Sequence, residues 1–130
     1  MYASDVMLRY PQVIGPDEPL CSAARCMRDQ GLTALPVCSH DRLVGMLTDR
    51  DITRRAVAAG LDPNTATVRQ VMTPKVVYCF AADDLSSAAA LMRERAVGHL
   101  VVLDGELRMV GMLSALDLAV AVRPSYAEAR

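Results

Sequence analysis

The chain has 130 residues, 52% of them apolar and 22% charged, a balance that excludes intrinsic disorder and suffices for a core without disulfides or metal. Its 14 Lys+Arg against 15 Asp+Glu leave a formal net charge of -1, so there is no field to attract a nucleic-acid backbone or an anionic membrane surface. The opening Met1-Tyr2-Ala3-Ser4-Asp5 has no basic or apolar signal region, and no apolar run nears the roughly 18 residues of a membrane span; a cytoplasmic protein is expected.

In chain order, a short extended piece over residues 12–14 leads to Pro19, which suits a first helical turn. Leu20, Ala23, Ala24 and Met27 then fall at i, i+3, i+4 and i+7, the apolar stripe of a helix that Gly31 closes. Apolar runs over 35–38 and 43–47 flank Ser39-His40-Asp41-Arg42, which predicts a β-hairpin. A second helix is expected from Thr48 to Gly60, followed by turn chemistry in Leu61-Asp62-Pro63-Asn64-Thr65. The order then recurs. An extended piece over 76–79 precedes Asp83, a good N-cap, and a helix striped by Leu85, Ala88, Ala89 and Met92. Runs over 100–103 and 109–113 flank Asp104-Gly105-Glu106, and a last helix starts at Ser114.

A shift of 65 positions superposes Val6-Met7 on Val71-Met72, Leu20 on Leu85, Ser22-Ala23-Ala24 on Ser87-Ala88-Ala89 and Met27-Arg28 on Met92-Arg93. One residue more in the second hairpin turn makes the shift 66, and Val44-Gly45-Met46-Leu47-Thr48 then meets Val110-Gly111-Met112-Leu113-Ser114, with Asp51 on Asp117. The chain is therefore read as an α+β (layered α/β) protein of two tandem β-α-β-β-α repeats: residues 1–62, a linker at 63–67, residues 68–123, and a frayed tail at 124–130. A repeat of about 60 residues has one apolar face too many to stand alone, so the two are expected to pack with pseudo-two-fold symmetry.

The chemistry concentrates where each second helix starts, at Thr48 with Asp51 and at Ser114 with Asp117. Glycine at 45 and 111 lets another group come close to the strand backbone. A hydroxyl followed three residues later by a carboxylate admits two readings: a capping box, which prefers Glu or Gln at the second position, or a pair of ligand contacts. Cys21, Cys26, Cys38 and Cys79 form no C-x-x-C pair and are read as reduced core hydrophobes, and with only His40 and His99 besides, no metal site is expected. Met7, Met27, Met72, Met92 and Met112 read as core filling, and Arg54 and Arg55 as a solvated helix face.

Two such copies, each with an apolar-Gly-apolar-apolar-Ser/Thr-x-x-Asp-apolar run after an apolar strand, and with Val71-Met72-Thr73-Pro74 ahead of the second, resemble the CBS (cystathionine β-synthase) domain pair, or Bateman module, over nearly the full length. Residues 45–52 and 58–67 are similar to the stand-alone subgroup that includes the hypoxic response proteins. The resemblance implies a disc of two repeats with two clefts for an adenosyl ligand: AMP, ADP, ATP, NAD or S-adenosylmethionine. In that scheme Asp51 and Asp117 bond ribose hydroxyls, and Thr48 and Ser114 bond phosphate or ribose. Thr33, Ala34, Leu35 and Pro36, or Gly98, His99 and Leu100, clasp the adenine. Arg50 would add a charge-assisted phosphate contact. His99 also reads as a hydrogen-bonded structural residue. The second copy departs from the pattern with Val101 for Pro36 and Ala115-Leu116 for Asp49-Arg50, so the first site is expected to bind better.

Two histidines in unrelated positions supply no nucleophile–base set, so no turnover is expected. The leading reading is a non-catalytic regulatory module with an adenine nucleotide as regulatory ligand and no required cofactor. It would form a homodimer and act on a separate effector protein. The alternatives are a ligand-free interaction and dimerisation module in a stress response, and a redox-sensitive protein working through Cys38 or Cys79.

Overall fold

The computed structural model describes residues 1–121; the expected tail at 124–130 lies outside them. In chain order the elements are α1 (Ala3–Val6), β1 (Leu8–Arg9), α2 (Leu20–Gln30), β2 (Ala34–Ser39), β3 (Arg42–Thr48), α3 (Asp49–Asp51), α4 (Val68–Val71), β4 (Tyr78–Phe80), α5 (Leu85–Arg95), β5 (His99–Leu103), β6 (Met109–Ser114) and α6 (Ala115–Ala121). Between α3 and α4, Ile52–Val57 continues the α3 helix with wider π-type turns. There the Thr53 hydroxyl donates to the Asp49 carbonyl at 3.0 Å, competing with the backbone ladder. Among the described residues no helix is long and apolar enough to cross a membrane.

The described residues form two compact units that are cut differently from the repeats expected at 1–62 and 68–123: one is Gln12–Val76, the other is Met1–Pro11 with the described residues from Val77 onward. Each repeat gives up its opening segment to the other's core. The expected linker at 63–67 is accordingly structural. Asp62 Oδ1 accepts the Asn64 N–H at 2.9 Å, and Ala66, Val68, Val71 and Met72 are buried with the α2 stripe of Leu20, Ala23 and Met27. In the other unit Ala3 and Met7 are buried with Leu85, Ala88 and Met92 of α5. All five methionines read as core filling are buried.

Within Gln12–Val76, β2 and β3 pair antiparallel through a two-residue turn in which His40 and Asp41 have φ of 50° and 65°, the left-handed pair that a tight hairpin needs. The extended piece expected at 12–14 shrinks to one bridge from Ile14 to Val37. Gly31 ends α2 at φ 65°, as expected. In the other unit the sheet order is β1-β6-β5-β4, with β4 parallel to β5. The residue preceding α5 is Asp84, not the expected Asp83; the Asp83 carboxylate instead accepts the Phe80 N–H at 2.8 Å and shapes the turn before the helix.

The exchanged segments are seated on the two repeat glycines. A Cβ at Gly45 would lie 2.6 Å from the Met72 sulfur and 3.0 Å from the Thr73 carbonyl; at Gly111 it would lie 2.6 Å from the Met7 sulfur and 2.8 Å from the Leu8 carbonyl. The sequence reading that these glycines admit a close neighbour holds, and the neighbour is this chain's own backbone and methionine. A Cβ against a backbone carbonyl cannot be relieved by a rotamer change, so Gly111→Ala should cost about 1–3 kcal/mol as overpacking. Gly105→Ala, where nothing lies within 4 Å, should stay within about 0.5 kcal/mol. Urea midpoints of the two variants check the contrast.

Candidate ligand site

In Gln12–Val76 the expected residues converge at one end of the hairpin. Ala34 pairs with Thr48 and Leu35 with Leu47 across β2 and β3, and the Asp49 N–H donates to the Thr33 carbonyl at 3.0 Å. The other unit repeats the arrangement: His99 pairs with Ser114, and the Ala115 N–H donates to the Gly98 carbonyl at 2.9 Å. Both sets of residues are thus assembled by strand register. Their side chains are not equally available. Ala34, Leu35, Pro36 and Leu100 are buried, so they can offer a ligand only backbone; Thr33 and Gly98 are exposed and His99 is half-buried.

At the start of α3 the capping box forms. The Asp51 N–H donates to Thr48 Oγ1 at 3.1 Å, and the Thr48 N–H donates to Asp51 Oδ2 at 3.0 Å. The shorter Asp side chain is long enough because Thr48 is extended at φ -114° and ψ 162°. Capping and ligand contact are not exclusive, since the other carboxylate oxygen, Oδ1, lies 3.4 Å from Thr73 Oγ1 and has capacity left. Removing this carboxylate costs the helix a cap, so Asp51→Ala is not the stability-neutral change that ligand contact alone would imply. In the second unit the Asp117 N–H donates to Ser114 Oγ at 3.1 Å, and Asp117 is exposed where Asp51 is half-buried. Arg50 is exposed and makes no ion pair among the described residues.

Two residues at this site escape a reading of the repeats. Arg55, taken for a solvated face, donates through one guanidinium nitrogen to the carbonyls of Val71 at 3.4 Å and Met72 at 3.1 Å. Thr73 reaches Asp51 from 22 positions away. The available signal was in Val71-Met72-Thr73-Pro74, where the repeat of Val6-Met7 stops at Thr73 against Leu8.

No group of three or more His, Cys, Asp or Glu able to hold a metal ion occurs among the described residues. Cys38 and Cys79 are quiet as well. Burial, then the nearby Asp83, push Cys79 up to about 11, and burial with Asp41 raises Cys38, the opposite of a reactive thiol.

The chain matches the family model described as "CBS domain" over residues 3–58 and 68–124. It is 40% identical over 118 residues, spanning 90% of this chain and 82% of the relative, to Hypoxic response protein 1 of Mycobacterium tuberculosis. A crystal structure of Hypoxic Response Protein I with two coordinated zinc ions superposes with a TM-score of 0.82 at 39% identity, covering 92% of this chain and 97% of that one. The CBS domain pair of MJ0100, solved with 5'-methylthioadenosine and S-adenosyl-L-methionine, superposes with a TM-score of 0.84 at 23% identity, covering 94% of this chain and 99% of that one.

With a thiol pKa of about 11, only roughly one Cys79 side chain in a thousand is thiolate at pH 8. Iodoacetamide at that pH should label Cys79 at least tenfold more slowly in the native protein than in urea, where the thiol regains its ordinary pKa of about 8.5. Mass spectrometry of the labelled peptides reads the ratio.

Proposed function

The chain belongs to the CBS-domain family, with two copies in tandem, and from that premise we propose that it is a non-catalytic regulatory module that binds an adenosyl ligand and signals by a change of conformation or oligomeric state. AMP, ADP and ATP are the first ligands to expect, with NAD and S-adenosylmethionine as relatives of the same chemistry. The observation that carries the reading is the end of the first hairpin, where Asp51 sits half-buried in reach of two donors. Beside it are the backbone of Thr33 and Ala34 and the exposed cation Arg50. A fixed carboxylate suits a vicinal diol, and a guanidinium suits a phosphate. The second unit keeps the carboxylate and hydroxyl but carries Leu116 in place of Arg50, so phosphorylated ligands favour the first site. The adenosyl ligands named for MJ0100 support the ligand class. The match to the CBS family indicates no catalytic family.

On this reading the protein works in the cytoplasm as a homodimer on a separate effector, and the ligand acts through its differential affinity for two states. A second reading, a ligand-free dimerisation or docking module in a stress response, is favoured by exposed Leu116 (74%), Val57 (69%) and Leu107 (66%).

A thermal-shift panel with AMP, ADP, ATP, NAD and S-adenosylmethionine at millimolar concentration separates the two. A ligand at about 100 times its Kd adds about 2.7 kcal/mol and raises Tm by several degrees. Asp51→Asn, which keeps an oxygen for the Thr48 N–H but turns a donor toward the ribose, should abolish most of the shift. No shift with any of the five, together with a concentration-dependent mass, favours the docking module.

A further inference from the structure

We propose that Thr73 is a positioning residue for the ribose of that ligand: its hydroxyl holds the Asp51 carboxylate in the orientation that receives the sugar diol. The inference rests on the proposed adenosyl-binding reading. An ionised carboxylate has about four acceptor positions. The Thr48 N–H takes one on Oδ2 and the Thr73 hydroxyl one on Oδ1, so each oxygen keeps one position, the number two vicinal hydroxyls require. With one donor on each oxygen, both torsions of the Asp51 side chain are set before the ligand arrives, which is the economy of a preorganised site.

The hydroxyl is surplus to the fold. Thr73 is already held by two backbone bonds of 2.9 Å to Met46, and Arg55 and Gly45 secure the carbonyls and the methionine just before it. The corresponding segment in the other unit seats Leu8 opposite Met112, as Thr73 sits opposite Met46, and does so with no hydroxyl at all. The Thr73 hydroxyl lies 3.4 Å from Asp51 Oδ1, longer than an ordinary O–H···O bond.

The test compares AMP with 2'-deoxy-AMP, and ATP with 2'-deoxy-ATP, by titration calorimetry on the full chain. In the parent protein the ribonucleotide should bind more tightly than its deoxy analogue. Thr73→Val, of the same shape, should weaken the ribonucleotide about tenfold, leave the deoxy analogue within about twofold, and leave the ligand-free Tm unchanged. Thr73→Ser should restore the difference. A merely structural role would weaken both nucleotides alike. An unchanged preference for the ribonucleotide in Thr73→Val overturns the inference while the adenosyl reading stands. A parent protein that binds none of AMP, ADP, ATP, NAD and S-adenosylmethionine overturns both.

Discussion

Everything else in this molecule is hung on a sulfur and a carbonyl pressed against a bare strand. At Gly45 and again at Gly111 the missing Cβ is replaced by a methionine side chain and a backbone oxygen arriving from elsewhere in the sequence. The segment that brings them adds a strand or bridge to the hairpin and buries α1 or α4 beside it. The hairpin so fixed sets the register in which Ala34 meets Thr48 and His99 meets Ser114, and that register assembles the residues of each candidate site. A side chain at either glycine would push the segment off the strand, and the site would lose its support before it lost any contact of its own. The methionine is well chosen for the seat, being unbranched and able to shape itself to a flat backbone surface.

The two units started from one plan and have diverged where it matters to a ligand. Polar groups around Asp51 come from three directions: the Thr48 N–H, the Thr73 hydroxyl and the neighbouring Arg50. The equivalent surroundings of Asp117 carry leucine at both 8 and 116, and no counterpart of Arg55, since Ala121 stands there. Such drift is cheap in one copy of a duplicated fold, because the core positions that keep it folded are different residues. The α2 and α5 stripes remain matched at Leu20, Ala23 and Met27 against Leu85, Ala88 and Met92 while the sites part company.

Much of this was legible in the residues alone. Apolar spacing located α2 and α5, the runs around residues 39–42 and 104–106 located both hairpins, and the shift of 65 and then 66 positions paired the motif residues correctly. What escaped was long-range. Met7 and Met72 read as core residues, but their pattern carries no address for the surface that buries them, so the exchange of opening segments could not be read. Arg55 and Thr73 were missed for the same reason: each acts across a distance in sequence. The shift from Asp83 to Asp84 is of another kind, a choice between adjacent, chemically identical residues that the Phe80 N–H decided.

The exchange of opening segments also sets how far apart in sequence the contacts of each unit lie. Gln12–Val76 is built from one continuous stretch. The other unit needs Met7 to meet Gly111, about 100 positions later in the sequence. Closing that unit means joining segments of long sequence separation, a slow contact. One unit is in this sense local in sequence and the other long-range, although the two repeats follow one another along the chain.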